Sequence, residues 1–252
     1  MKNALFLHPL ALLRRCARIL LCIWIPHPML GELYREFQLG RIRWGNRHLP
    51  WKKRRYHRFR GRRNLKLHLG SFDQRLAGWV NHDCSPSYAV DLVGDLRDPL
   101  PFDEQSVELI LLEHVLEHLR PYTDAPAFLK ECHRVLAPGG CLFISVPDGE
   151  KAARCYLNRD PWLLDSVNSP DWRVRMNEKG GALATPMEAL NEIARQNGDH
   201  RFLYDFETLS LQLREAGFKT IQRSSYATGF PARLKVGKPW REEESLCVEA
   251  FR

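Results

Sequence analysis

The 252-residue sequence has seven cysteines but no C-x-x-C pair, which argues against the paired-cysteine zinc modules. The cysteine number is odd, and Cys132 and Cys141 fall in segments that read as core. Reduced thiols in a cytoplasmic setting are the expectation, with no metal. Long apolar runs are also missing. Leu5 to Leu13 and Ile19 to Ile25 are apolar, but Arg14, Arg15 and Arg18 separate them. Neither run approaches the ~20 residues of a membrane-spanning helix. No small-residue cleavage site follows, so a secretory signal is not expected. Two readings stay open for this lead: a helix packed on the body or on another subunit, or a helix lying in a membrane interface.

Acid is scarce where base is plentiful. Residues 1–66 hold 17 Lys/Arg against Glu32 and Glu36, a balance of +15, while the remaining 186 residues balance to −7. Residues 41–63 hold 11 Lys/Arg and no acid, with Trp44, Trp51, Tyr56 and Phe59 interleaved. The organisation expected is an apolar then basic N-terminal arm over 1–63 and a globular domain over 64–252. Such an arm suits nucleic acid, where cations neutralise phosphates and aromatics stack on bases. It suits an anionic membrane surface equally, or a basic face within an assembly.

From Asn64 onward short apolar runs alternate with helical patterns. Strands are predicted at Leu65–Leu69, Trp79–Asp83, Val90–Val93, Val107–Leu112, Cys141–Val146, Phe218–Arg223 and Leu246–Phe251. Val107–Leu112 is nearly continuous, as in a strand buried on both faces of a parallel sheet. A helix is predicted over Asp124–Leu136, with Asp124 as cap and Ala137-Pro138-Gly139-Gly140 as breaker. Thr185-Pro186-Met187-Glu188 is a capping box with proline in the first turn. A further helix runs from Phe206 to Ala216, capped by Asp205 and stopped by Gly217. Residues 149–203 interrupt the alternation and read as an acceptor-side insertion or lid that includes Trp162, Trp172, Arg173 and Arg175. The fold class is α/β: a Rossmann-like, seven-stranded, mainly parallel sheet with helices on both faces.

Such sheets bind ligands at the carboxyl ends of their strands. Gly70 and Ser71 follow the first strand, where a close backbone approach admits a ligand's polar end. Asp83 ends the second strand, placed to accept ribose hydroxyls. Asp95 ends the third, and Glu113 and His114 end the fourth, over the centre of the cleft. Any one of these can equally close a turn; their recurrence at successive strand ends carries the argument.

The stretches LHLGSFDQRLAGWVNHD, DLVGDLRDPLPFDEQSVELILLEHVLEHL and LKECHRVLAPGGCLFISVPD, with HRFLYDFETLSLQLREAGF further on, resemble the type 11 class of S-adenosylmethionine-dependent methyltransferases. The resemblance implies S-adenosyl-L-methionine as cofactor and a sheet with one reversed strand. It implies that Gly70 and Ser71 border the methionine moiety, that Asp83 takes the ribose, and that Asp95 with Leu96 holds the adenine. It places Glu113 and His114 beside the methyl donor and acceptor, His114 as first candidate base and Glu113 as second. Asp148, His200, Arg201 and Tyr204 fall on its acceptor side, and His118 reads chiefly as a structural hydrogen-bonding group. The class often accompanies cell-envelope and glycosylation enzymes, so a small-molecule or glycan acceptor, sugar or lipid-linked, is implied. One departure matters: the G-x-G loop here reads Gly70-Ser71-Phe72, and Phe72 either crowds the cofactor or folds into the core. A catalytically degenerate binding module is the alternative this raises.

Overall fold

The computed structural model describes residues 27–86, 90–170, 182–234 and 239–252. The apolar lead before residue 27 and Trp172, Arg173 and Arg175 lie outside the described residues. Two helices open the described chain, α1 (His27–His48) and α2 (Pro50–Tyr56), with Pro50 starting the second. The domain follows as β1 (Leu65–Leu69), β2 (Val80–Asp83), β3 (Leu92–Val93), β4 (Val107–Glu113), α3 (Asp124–Val135) and β5 (Leu136–Pro147). Next come α4 (Gly149–Leu157), α5 (Trp162–Asn168), α6 (Pro186–Arg195), α7 (Phe206–Glu215), β6 (Thr220–Ser224), α8 (Phe230–Leu234) and β7 (Ser245–Phe251). Among the described residues no helix is long and apolar enough to cross a membrane.

The strands form one sheet in the order β3-β2-β1-β4-β5-β7-β6. β7 pairs antiparallel with both β5 and β6 and is the one reversed strand. The chain runs outward from β1 through β2 to β3, then returns to lay β4 on the other side of β1. The switch point therefore lies between the carboxyl ends of β1 and β4.

Period-two alternation decides what each strand offers each face. In β4, Ile110 and Leu112 enter the main core, whereas Leu109 and Leu111 face a second cluster with Trp79, Phe143, Tyr226 and Phe230; Val107 joins the main core across a register shift before Leu109. The main core packs α3 and α7 through Phe128, Leu129, Leu209 and Leu213. The second face is covered differently. No helix joins β1 to β2; the loop around Leu76 and the short α8 lie there instead. Residues 149–203 carry a cluster of their own, Ala152, Cys155, Leu163, Val167, Ala189 and Ile193, which holds α4, α5 and α6 together.

Local signals hold at most ends. Thr185 and Glu188 form the reciprocal capping box, and Asp205 accepts from Thr208 N at the start of α7. Two details differ from expectation. Asp124 does not cap α3; it pairs with Arg120 at 2.8 Å, and Thr123 at the cap position makes no side-chain capping bond. The Ala137–Gly140 breaker does not delay β5, because Leu136 already pairs with Val107.

The basic segment packs against the domain. Asn46 Nδ2 donates to the Val93 carbonyl at 2.9 Å, Arg47 meets Asp98 at 2.9 Å, and Arg58 meets Asp91 at 3.0 Å. Arg97 joins Glu36 through both guanidinium amines, and Arg201 pairs with Glu32. Tyr56 and Phe59 are buried, and Phe59 is part of the main core. On α1 the residues bonded to the domain (Glu32, Glu36, Arg43 and Asn46) are polar, with Leu39 and Ile42 partly buried beside them. The stripe at Leu33, Phe37 and Trp44, spaced for a single helix face, is exposed.

Candidate active site

A cleft of about 1260 Å³ opens at the switch point, lined among others by Gly70, Phe72, Asp83, Leu96, His114 and His200. Its outer wall comes from α1, through Glu32, Arg35, Glu36 and Leu39.

Gly70 turns the chain at the end of β1. Its φ is +68°, and a Cβ there would stand 2.2 Å from Val115 Cγ2. Both facts require glycine. Asp83 organises the loop that follows: one carboxylate oxygen accepts from Phe72 N at 3.0 Å and the other from Ser85 N at 2.8 Å. Each oxygen keeps a second lone pair. Phe72 does not fold into the core; it sits at φ +48° on the cleft wall and is 52% exposed. Ser71 is buried behind the loop and is not on the wall.

Asp95 lines the cleft, but its carboxylate is engaged by Arg97, at 3.0 Å from Nε and 2.8 Å from Nη2. These bonds hold the guanidinium above its ordinary pKa. Glu113 borders the cleft at the end of β4, while its carboxylate is turned to the second face, as its parity with Leu109 and Leu111 requires. It accepts from Tyr226 Oη at 2.6 Å, and its other oxygen lies 3.4 Å from His68 Nε2. Burial, with the Glu113 charge beside it, raises the Tyr226 phenol.

His114 follows at φ +54° with its ring almost fully buried. Its Nδ1 lies 3.2 Å from Glu117 Oε1 and its Nε2 2.8 Å from Ser245 Oγ. Burial lowers the His114 pKa and so favours the neutral ring. Burial alone would raise Glu117, yet the hydrogen bond from His114 and neighbouring histidines bring it down to about 2. His118 makes the structural contact expected of it, Nδ1 to the Asp199 carbonyl at 3.0 Å.

Asp148, His200 and Arg201 line the same cleft. Asp148 also caps α4, accepting from Lys151 N. Tyr204 is elsewhere: the bridge between Asp148 and Tyr204 seats its ring in the main core, fully buried and off the cleft wall. Sequence reasoning passed over Glu117, read His118 only as a structural group and Trp162 only as part of the candidate lid. Trp162 is on the wall, with Lys151 Nζ 3.9 Å from its ring centroid. The double acid–histidine text Glu113-His114-Val115-Leu116-Glu117-His118 was the available signal.

A seven-stranded sheet with one reversed strand, and a cleft at its switch point, define a Rossmann-like α/β fold. Residues 71–144, under a third of the chain, match a family model of the type 11 methyltransferase class, described as "Methyltransferase domain". A search of curated proteins finds no match. Solved structures similar to the chain include a possible histamine N-methyltransferase from Thermotoga maritima, 17% identical, covering 83% of this chain and 97% of that one at TM-score 0.43. A SAM-dependent methyltransferase from Archaeoglobus fulgidus is 12% identical, covering 90% and 100% at TM-score 0.43. A chain from Nostoc punctiforme described as an O-methyltransferase is 14% identical at TM-score 0.35; the match covers 64% of this chain and only 36% of that one.

The cofactor of the class is S-adenosyl-L-methionine. Gly70, Asp83 and Leu96 fit it: a backbone with no room for a side chain, a carboxylate with spare lone pairs, and an apolar wall, all on one cleft. Asp95 fits less well, because Arg97 occupies both its oxygens.

Proposed function

We propose that the chain transfers the methyl group of S-adenosyl-L-methionine to an oxygen, nitrogen or carbon nucleophile of a small-molecule or glycan acceptor, sugar or lipid-linked. The observation that carries this is the convergence of Gly70, Asp83 and His114 on one cleft at the switch point. The bound cofactor supplies an activated methyl group. Asp83 takes the ribose hydroxyls, and Gly70 lets the methionine end approach the backbone. Asp148, His200 and Arg201 hold the acceptor opposite. The acceptor atom bonds to the methyl carbon as the carbon–sulfur bond breaks, and the electron pair stays on sulfur. Where a proton must leave the acceptor, His114, neutral and oriented by Glu117 through Nδ1, takes it at Nε2, giving up its bond to Ser245 Oγ. Alignment is the main contribution, and orientation alone can supply ~7–11 kcal/mol.

The test is calorimetric titration with S-adenosyl-L-methionine, beside Asp83→Ala. Micromolar binding that the substitution abolishes is expected. A folded protein that does not bind would leave Phe72 as the obstruction and make the chain a methyltransferase-like binding module.

A second reading concerns location: a cytoplasmic protein held peripherally at an anionic membrane. The outward stripe of Leu33, Phe37 and Trp44, with Trp51 exposed at 67% beside Lys52, Lys53 and Arg54, supports it. Apolar insertion and polybasic attraction add on such a surface. Trp44→Ala with Trp51→Ala should release the protein from vesicles containing anionic lipid; retention on RNA instead would favour a nucleic-acid partner.

A further inference from the structure

Beside the cleft, Glu117, His118 and His200 offer one ligand atom each, all within 4.8 Å of one another. Glu117 precedes His118 in a short 3-10 turn, and its carbonyl accepts from Arg201 N at 2.7 Å. That bond stitches the turn to the segment carrying His200 and brings the two imidazoles to 5.0 Å, edge to face. Each ring is fixed through the same nitrogen. His118 Nδ1 meets the Asp199 carbonyl at 3.0 Å, and His200 Nδ1 meets the Ile193 carbonyl at 2.9 Å. A carbonyl only accepts, so Nδ1 carries the proton and Nε2 keeps its lone pair on both rings. Backbone carbonyls fix metal-binding histidines in this way.

Glu117 is fully buried, and its Oε2 has no hydrogen-bond partner. Oε1 is 3.2 Å from His114 Nδ1. Among the described residues no lysine or arginine pairs with it. A buried carboxylate without a cation is costly, and a metal ion would supply the missing charge.

We propose that Glu117, His118 and His200 bind a divalent transition-metal ion. Two imidazoles and one carboxylate suit zinc, iron(II) or manganese, and fit magnesium poorly. His118 and His200 line the cleft, so open coordination positions face it and can take an oxygen of the acceptor. That last role rests on the methyltransferase reading; the metal site does not.

The experiment is calorimetric titration of chelator-treated full-length protein, without S-adenosyl-L-methionine, using Zn²⁺, Mn²⁺ and Mg²⁺ separately. One equivalent of Zn²⁺ or Mn²⁺ should bind, with Mg²⁺ much weaker. His118→Ala and His200→Ala should each weaken binding by more than the ~10–100-fold that loss of an outer-shell partner costs. His48→Ala, at an exposed position on α1, should bind as the parent does. Glu117→Gln is the sharper variant, and its near-ultraviolet circular dichroism shows whether it folds; His118→Ala, at the cleft surface, serves if it does not. Absence of saturable Zn²⁺ or Mn²⁺ binding overturns the proposal, as does binding that survives both histidine substitutions. Because no cofactor is present, failure of the methyltransferase reading leaves this result unaffected.

Discussion

Gly70→Ala should cost the fold about 3 kcal/mol and weaken S-adenosyl-L-methionine binding on the order of a hundredfold. The stability loss has two sources. A left-handed φ of +68° penalises any Cβ, and this Cβ would overlap Val115 Cγ2 at 2.2 Å. The binding loss follows from where the strain goes. Val115 must move, and it connects His114 to the turn holding Glu117 and His118. The loop on the other side, with Phe72 N held by Asp83, shifts as well. Urea denaturation reads the first effect and calorimetry the second. Stability lost with binding intact would show that the cofactor sits elsewhere in the cleft.

Phe59→Ala should destabilise the whole domain by about 3 kcal/mol, the lower end for a buried phenylalanine. Phe59 lies in the most basic stretch of the chain, yet it is only 9% exposed and belongs to the main core. Its ring packs 6.3 Å from that of Phe102, and Arg58 and Arg62 lie over it at 4.8 and 5.3 Å. Removing it leaves a cavity and takes the ring from under two guanidinium groups. An unchanged denaturant slope with a lowered midpoint is the expected form. A change below about 1 kcal/mol would mean that residues before 64 contribute little to the core.

The sheet was legible because its signals are local. The apolar run of β4, the capping box at Thr185 and the cap at Asp205 each sit within a few residues of the element they define. Docking of the basic segment was not legible. Its partners, Asp91, Asp95 and Asp98, are dozens of residues away, and nothing local pairs Arg58 with Asp91 rather than solvent. Glu113 is an intermediate case. Its position at a strand end brings it to the cleft edge, while its parity with Leu109 and Leu111 turns the carboxylate to the second face, where Tyr226 meets it. Tyr204 went astray because a single bridge to Asp148 sets its direction, and no periodicity announces one bridge.

Helix α1 closes one side of the cleft, but polar side chains hold it there. Its grip therefore depends on ionic strength in a way that the core does not. At ~0.1 M salt the screening length is about 10 Å, and at 1 M about 3 Å. Concentrated salt weakens the half-exposed Arg97–Glu36 and Arg201–Glu32 pairs while the sheet stays intact. The cleft thus has one wall whose closure should vary with the surrounding electrolyte, and ligand entry measured by stopped flow should be faster in brine than in dilute buffer.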